Sequence, residues 1–141
     1  MIPAAIADYA AWRAQLLPII ERTEQRNQHP FAKQVDEALL TGRAALFLVE
    51  EGFVVLEPNI VANTLEVWVL FAYSAEKGAM ARHLPTVEAL AQQVRATRLR
   101  FYTAVNKLRA PLCALGFTCI ESGDIQTWIK DIVWVEKKTT K

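Results

Sequence analysis

The stretch TLEVWVLFAYS, Thr64 to Ser74, carries apolar side chains at both parities of an extended chain. Leu65, Val67, Val69 and Phe71 alternate onto one face; Trp68, Leu70 and Ala72 alternate onto the other. A strand that is apolar on both sides is a central strand covered by helices. A bilayer span needs roughly 20 apolar residues, and this run is far shorter and contains Glu66.

Downstream, AMARHLPTVEALAQQVRA reads as a helix with an apolar stripe of Leu84, Val87, Leu90, Ala91 and Val94, less regular at Pro85. RLRFYTAV then alternates Arg98 out, Leu99 in, Arg100 out, Phe101 in, as a strand does. A strand, a helix and a strand across residues 64–104 predict a right-handed crossover, with 64–73 parallel to 98–104. NKLRAPLCAL is a short helix stopped by Gly116. Two last strands, near 118–121 and 125–134, surround Ser122, Gly123 and Asp124.

Upstream, AALFLVE and FVVLEPN flank Glu51-Gly52, read as a hairpin turn. Before them Phe31, Val35, Ala38 and Leu39 mark a helix with Gly42 as its stop. The first segment is also read as helix, from Ile2, Ile6, Tyr9, Leu16, Ile19 and Ile20, with a kink or restart near Leu17 because of Pro18. The expectation is one α/β domain over 1–141, a mixed sheet of about six strands with helices on both faces. Two N-terminal helices occupy about 3–41, the sheet core about 44–134, and a frayed tail 135–141.

Sixteen Lys and Arg face fifteen Asp and Glu. That balance argues against general nucleic-acid binding, which shows a basic excess. Cys113 and Cys119 have no metal or disulfide-framework spacing and read as reduced cytoplasmic thiols. The N-terminus has no basic leader, so the expected compartment is the cytoplasm, with no membrane association. His29 and His83 stand far apart, and no metal is expected. Ser74 and Ser122 lack a nucleophile elbow. A general base near the central strand would be Glu66, with Glu57 on the strand before it as the other carboxylate. The nearest phenol is Tyr102. Arg95, Arg98, Arg100, Lys107 and Arg109 are the densest charged feature, and their plainer reading is a solvated rim.

The element order, the LLTGRAALFLVEEGFVVLEP segment, the long central strand and the closing LGF before a terminal hairpin resemble the Gcn5-related N-acetyltransferase (GNAT) fold. The likeness spans about Leu16 to Ile132. The family's first strand is not evident; a helix holds its place. In texture the chain is similar to the small GNAT-like proteins of tailed phages, including the internal-virion-protein kind. The resemblance implies an acetyl-CoA notch between the central strand and the next, opening near Ala72. It also implies a phosphate loop, (Gln/Arg)-x-x-Gly-x-(Gly/Ala), at the start of the helix between them, where unpaired N–H groups favour an anion.

Here that loop reads AEKGAM. Gly78 matches, Ala75 replaces Gln/Arg, and Met80 replaces the second small residue. Gly78, Ala79 and Met80 are the cofactor-binding candidates, with Lys77 and Arg82 as nearby cations. The family's Tyr acid, four residues before the Gly of GF, falls on Leu112, which donates no proton; core packing is its plainer role.

Two functions follow, beside a third class in which a small-ligand or regulatory module binds CoA without turnover. In the first, the fold has lost its machinery, needs no cofactor, and acts through protein contacts or self-association, as a virion-associated or assembly protein of a phage. Arg98, Arg100, Arg109 and Trp134 would then form the contact surface. In the second, the protein is an acetyl-CoA-dependent N-acyltransferase.

Overall fold

The apolar run at 64–74 becomes β4 (Thr64–Ser74), the middle strand of one sheet. The computed structural model describes residues 4–27, 31–49, 51–75, 78–103 and 106–132. Along the chain they form β1 (Ala4–Ala7), α1 (Tyr9–Asn27), α2 (Ala32–Leu40), β2 (Ala45–Val49), β3 (Gly52–Val61) and β4. There follow α3 (Ala79–Gln93), β5 (Arg98–Thr103), a 3-10 turn (Asn106–Leu108) running into α4 (Arg109–Ala114), β6 (Thr118–Glu121) and β7 (Gln126–Asp131). The sheet order is β1-β2-β3-β4-β5-β7-β6, with β4 and β5 parallel and every other pair antiparallel. The expected parallel crossover is therefore present.

The described residues hold seven strands rather than about six. The addition is β1, which pairs with β2 where a helix was expected. Its four residues, AAIA, are too short and Ala-rich to show alternation, and Ile2 and Ile6 imitate helical spacing. The helix begins at Tyr9 instead, where the Asp8 carboxylate accepts the Ala10 N–H at 3.2 Å, an N-cap contact. It runs through Pro18 without a restart. Pro18 is exposed while Leu16 and Ile20 on either side are buried, so packing outweighs one missing N–H.

The two faces carry separate cores. On one, Tyr9, Leu16, Ile20, Val35 and Leu39 pack on Leu46, Phe53, Val55 and Phe71. On the other, Leu84, Val87, Ala91 and Leu112 pack on Val54, Leu56, Val67, Val69, Leu99 and Trp128. A polar staple joins α1 to α2. Tyr9 O–H donates to Asp36 Oδ1 at 2.6 Å, and Arg13 grips the same carboxylate through Nε and Nη2 at 2.8 and 2.9 Å. Burial and the neighbouring carboxylate push the Tyr9 phenol far above its ordinary value, so it stays a donor.

Phe71 does not share a face with Val69, as strict alternation predicts. Val55 pairs with Phe71 and Leu56 with Val69, so Leu70 is an extra residue, a β-bulge. Leu70 and Phe71 both turn toward the α1–α2 core, and Ala72 returns to the α3 side.

The turn between β2 and β3 is one residue earlier than the sequence suggests. Val49 and Gly52 are register partners, so Gly52 opens β3. A Cβ at Gly52 would lie 1.9 Å from the Tyr73 carbonyl oxygen. Gly52→Ala should therefore destabilise the protein by about 3 kcal/mol, the upper range for overpacking, because backbone and not a flexible side chain stands in the way. Gly123→Ala, whose Cβ would meet nothing within 4 Å, should leave urea denaturation unchanged.

Candidate active site

β4 and β5 are paired over only four positions, Glu66↔Arg98 to Val69↔Phe101. Both strands continue, but with other neighbours. β4 stays on β3 as far as Ser74↔Gly52, and β5 stays on β7 as far as Thr103↔Gln126. The sheet is split from Leu70 onward, nearer the vertex than Ala72. The bulge explains the difference, since an extra residue bends its strand and breaks the local ladder.

The open end of this gap holds the C-terminal ends of two parallel strands, the usual place for a ligand in an α/β sheet. α3 begins there, five residues after β4 ends. Gly78 precedes it at φ +78°, a conformation that Gly adopts freely, and no side chain caps the helix. The Gly78 carbonyl accepts the first helical bond, from Arg82 N at 2.9 Å. The N–H groups before Arg82 thus lack intrahelical partners. Arg82 lies in this first turn and pairs with the Glu51 carboxylate, while its buried Nε has no partner among the described residues. Lys77 and the side chains of Ala79 and Met80 lie outside the described residues.

Beneath this end, Val69, Ala72, His83, Leu84 and Val87 line a small apolar pocket with room for about one water. His83 is 1% exposed. Its Nε2 lies 2.9 Å from the Tyr73 carbonyl, which can only accept, so Nε2 carries the proton. Nδ1 has no partner among the described residues. Sequence reading left His83 as an isolated histidine. Its signal was position: 83, 84, 87 and 91 fall on one helical stripe, which places the imidazole against the sheet.

On the opposite face of the β4–β5 seam, the structure brings Glu66 and Tyr102 into one cluster through Trp68. Glu66 is 2% exposed. Its carboxylate accepts Arg100 Nε at 2.8 Å, Arg100 Nη2 at 3.2 Å and Trp68 Nε1 at 3.0 Å, with Arg98 Nη1 at 3.8 Å. The Arg100 guanidinium also stands 5.6 Å from the centre of the Trp68 ring. Trp68 meets Tyr102 edge to face, centroids 5.6 Å apart. Burial pushes the Glu66 carboxyl up, but the bonds from Arg100 and Trp68 and the charges of Arg100 and Arg98 outweigh it. Its pKa therefore falls below the ordinary value. An ionised carboxylate already accepting three bonds is a poor base and a good anchor.

The arginines do not form one surface. Arg100 is mostly buried against Glu66, whereas Arg98 is half-exposed and also binds Asp131 Oδ1 at 3.0 Å. Arg109 sits on α4, with its guanidinium 5.6 Å from the ring centre of Trp128 on the other face. Trp134 lies outside the described residues. Leu112 is fully buried in the α3-side core. Among the described residues no three His, Cys, Asp or Glu groups converge on a metal position, and no helix is long and apolar enough to cross a membrane.

Solved structures share this architecture. FeeM, an N-acyl amino acid synthase from uncultured soil microbes, matches with a TM-score of 0.69 at 14% identity over 94% of this chain and 90% of that one. A GNAT-family acetyltransferase from Staphylococcus aureus MU50 matches at 0.64, with 12% identity over 93% and 100%. A chain of the NatC complex bound to Gag peptide and CoA matches at 0.57, with 11% identity over 94% and 99%. No protein-family model and no curated protein sequence matches the chain. The protein therefore has the GNAT fold.

The Glu66 cluster makes a stability prediction. A carboxylate with a folded pKa below its unfolded value stabilises the protein above the ordinary range near about 4.3, and that stability is lost as pH falls through the folded pKa. Asp36, held low chiefly by the Arg13 hydrogen bond, acts in the same direction. Glu66→Ala should cost about 3 kcal/mol at pH 7, the scale for breaking a buried pair, and should make the acid arm of the stability curve shallower. Urea denaturation at pH 7 and pH 3 measures both.

Proposed function

We propose that the protein is an acyl-CoA-dependent N-acyltransferase that uses acetyl-CoA. The observation that carries this reading is the parting of β4 from β5 after Val69 and Phe101, with the uncapped start of α3 at the open end. The acyltransferases among the solved structures of the same fold support it.

The residues present fit the donor. The first-turn N–H groups of α3 would hold its pyrophosphate, with Gly78 leaving open space where a Cβ would stand. Arg82, whose buried Nε has no partner among the described residues, would add charge beside its Glu51 pair. The parts of β4 and β5 beyond Val69 and Phe101, where the two strands no longer pair with each other, would line its arm. When bound, acetyl-CoA supplies an acyl group already activated as a thioester. The chain's own part is to hold the acceptor amine beside it and exclude water, which by itself gives a large rate gain.

Leu112 in place of a phenol does not forbid this. A thiol ionises near about 8.5, so a thiolate leaves without needing a strong acid beside it. Glu66 is committed to Arg100 and Trp68, so its role is to fix the seam. The alternative, a phage virion protein acting by contact, took its support from Leu112 and Met80. The retained gap and the acyltransferases of the same fold favour transfer.

Acetyl-CoA at a hundred times its dissociation constant should stabilise the protein by about 2.7 kcal/mol, read as a rise in Tm. Gly78→Val, which places a β-branched residue at φ +78°, should weaken binding by calorimetry tenfold or more. Acetyl-CoA at millimolar concentration without a shift in Tm would remove the proposal.

A further inference from the structure

The bulge at Leu70 vacates a space on the α3 side of β4. Strict alternation would send the Phe71 side chain there, next to that of Val69. The extra residue turns Leu70 and Phe71 to the α1–α2 core instead, so the α3-facing side chains of β4 skip from Val69 to Ala72. The small apolar pocket lies between these two, roofed by His83, Leu84 and Val87 of α3. Val69, His83, Leu84 and Val87 are buried, whereas Ala72 is only partly so. The pocket is therefore reached from Ala72, which stands beyond Val69, the last β4 residue paired to β5. Its mouth is on the gap. A water inside would lack the roughly two to four polar partners it needs. An apolar group of about one methyl fills the same space at no such cost. The far walls do not give way readily. The imidazole of His83 is held by the Tyr73 carbonyl at 2.9 Å, and Leu84 and Val87 are packed into the α3-side core.

We propose that this pocket receives the methyl end of the donor's acyl group, and that Val69, Leu84 and Val87 restrict the donor to acetyl against propionyl and longer thioesters. The inference rests on the acyltransferase reading and names the residues that set its donor. One bulge then does two things: it parts the strands, and it clears the place beside the parting that a large side chain would otherwise fill. His83 is a positioning residue here, since it holds one wall and touches no reacting atom. A chain longer by one methylene meets side chains already packed, and overpacking a core is costly.

The test is calorimetry of the full chain with free CoA, acetyl-CoA, propionyl-CoA and butanoyl-CoA, with no acceptor present. Acetyl-CoA should bind about fourfold more tightly than free CoA, as burial of one methyl gives. Propionyl-CoA and butanoyl-CoA should bind about tenfold more weakly than acetyl-CoA, the scale of one overpacked methylene. Val87→Ala, which enlarges the pocket, should bring propionyl-CoA level with acetyl-CoA or ahead of it. Ala72→Val, which fills the pocket from its mouth, should act in the other sense and erase the advantage of acetyl-CoA over free CoA. Each readout is a ratio between ligands on one protein, which a loss of folded molecules leaves unchanged. If the thioesters bind alike whatever their length, or the acetyl preference survives Val87→Ala, the pocket does not hold the acyl group. The inference then fails and the transferase reading stands. If neither CoA nor any thioester binds, the transferase reading fails and takes the inference with it.

Discussion

One extra residue in β4 decides much of this architecture. Antiparallel pairing with β3 places Leu56 opposite Val69 and Val55 opposite Phe71, which leaves Leu70 out of register. Below the bulge, β4 is paired on both sides; above it, β4 follows β3 and β5 follows β7. The same bulge reverses which core receives each side chain, so Phe71 joins the α1–α2 layer while Val69 belongs to the α3 layer. Without it, Phe71 would point at α3 and the strands would have no local reason to part.

A sheet that splits needs a clamp where the split begins, and the Glu66 cluster provides one. Burying a carboxylate costs several kcal/mol unless it is paired and hydrogen-bonded. Here the pairing crosses the seam, from Glu66 on β4 to Arg100 on β5, with Trp68 supplying a third donor. The strands are thus fastened by side chains one to three residues before their pairing ends. The arrangement is tolerant of change on Arg98, which shares the cluster at its rim, and intolerant of change on Arg100, which is inside it.

Much of this was legible in the sequence. Apolar residues on both faces of 64–74, a helical stripe after them and the alternation at 98–101 gave a parallel crossover inside a mixed sheet, because each signal is a repeated period. What stayed hidden depends on single residues. Leu70 looks like any strand leucine, and its bulge is set by register against β3. β1 is stabilised by pairing with β2, which four residues of Ala and Ile do not advertise. The arginines of β5 read as a solvated rim because alternation gives a face, not what stands on it. Glu66, thirty-two residues before Arg98, decides their state. Of the candidate site, Gly78 was readable from its motif position, and His83 only from its place on the 83, 84, 87 and 91 stripe, because a lone histidine carries no motif of its own.

Among the described residues, the two faces of the sheet carry cores that share no side chain. The backbones of the strands between them join the two, with Phe53 and Val55 facing one way and Val54 and Leu56 the other. Such a molecule has a natural plane of cleavage for partial opening. The α1–α2 layer can lift as a unit held by its Tyr9–Asp36 staple, losing its packing on its side of the sheet, while the layer that frames the gap keeps its own. Amide exchange would then occur in two cooperative groups of different free energy, divided by layer and not by position along the chain. Anything bound in the gap would protect the slower group and leave the faster one nearly untouched, so the N-terminal helices are free to vary in stability without retuning the site.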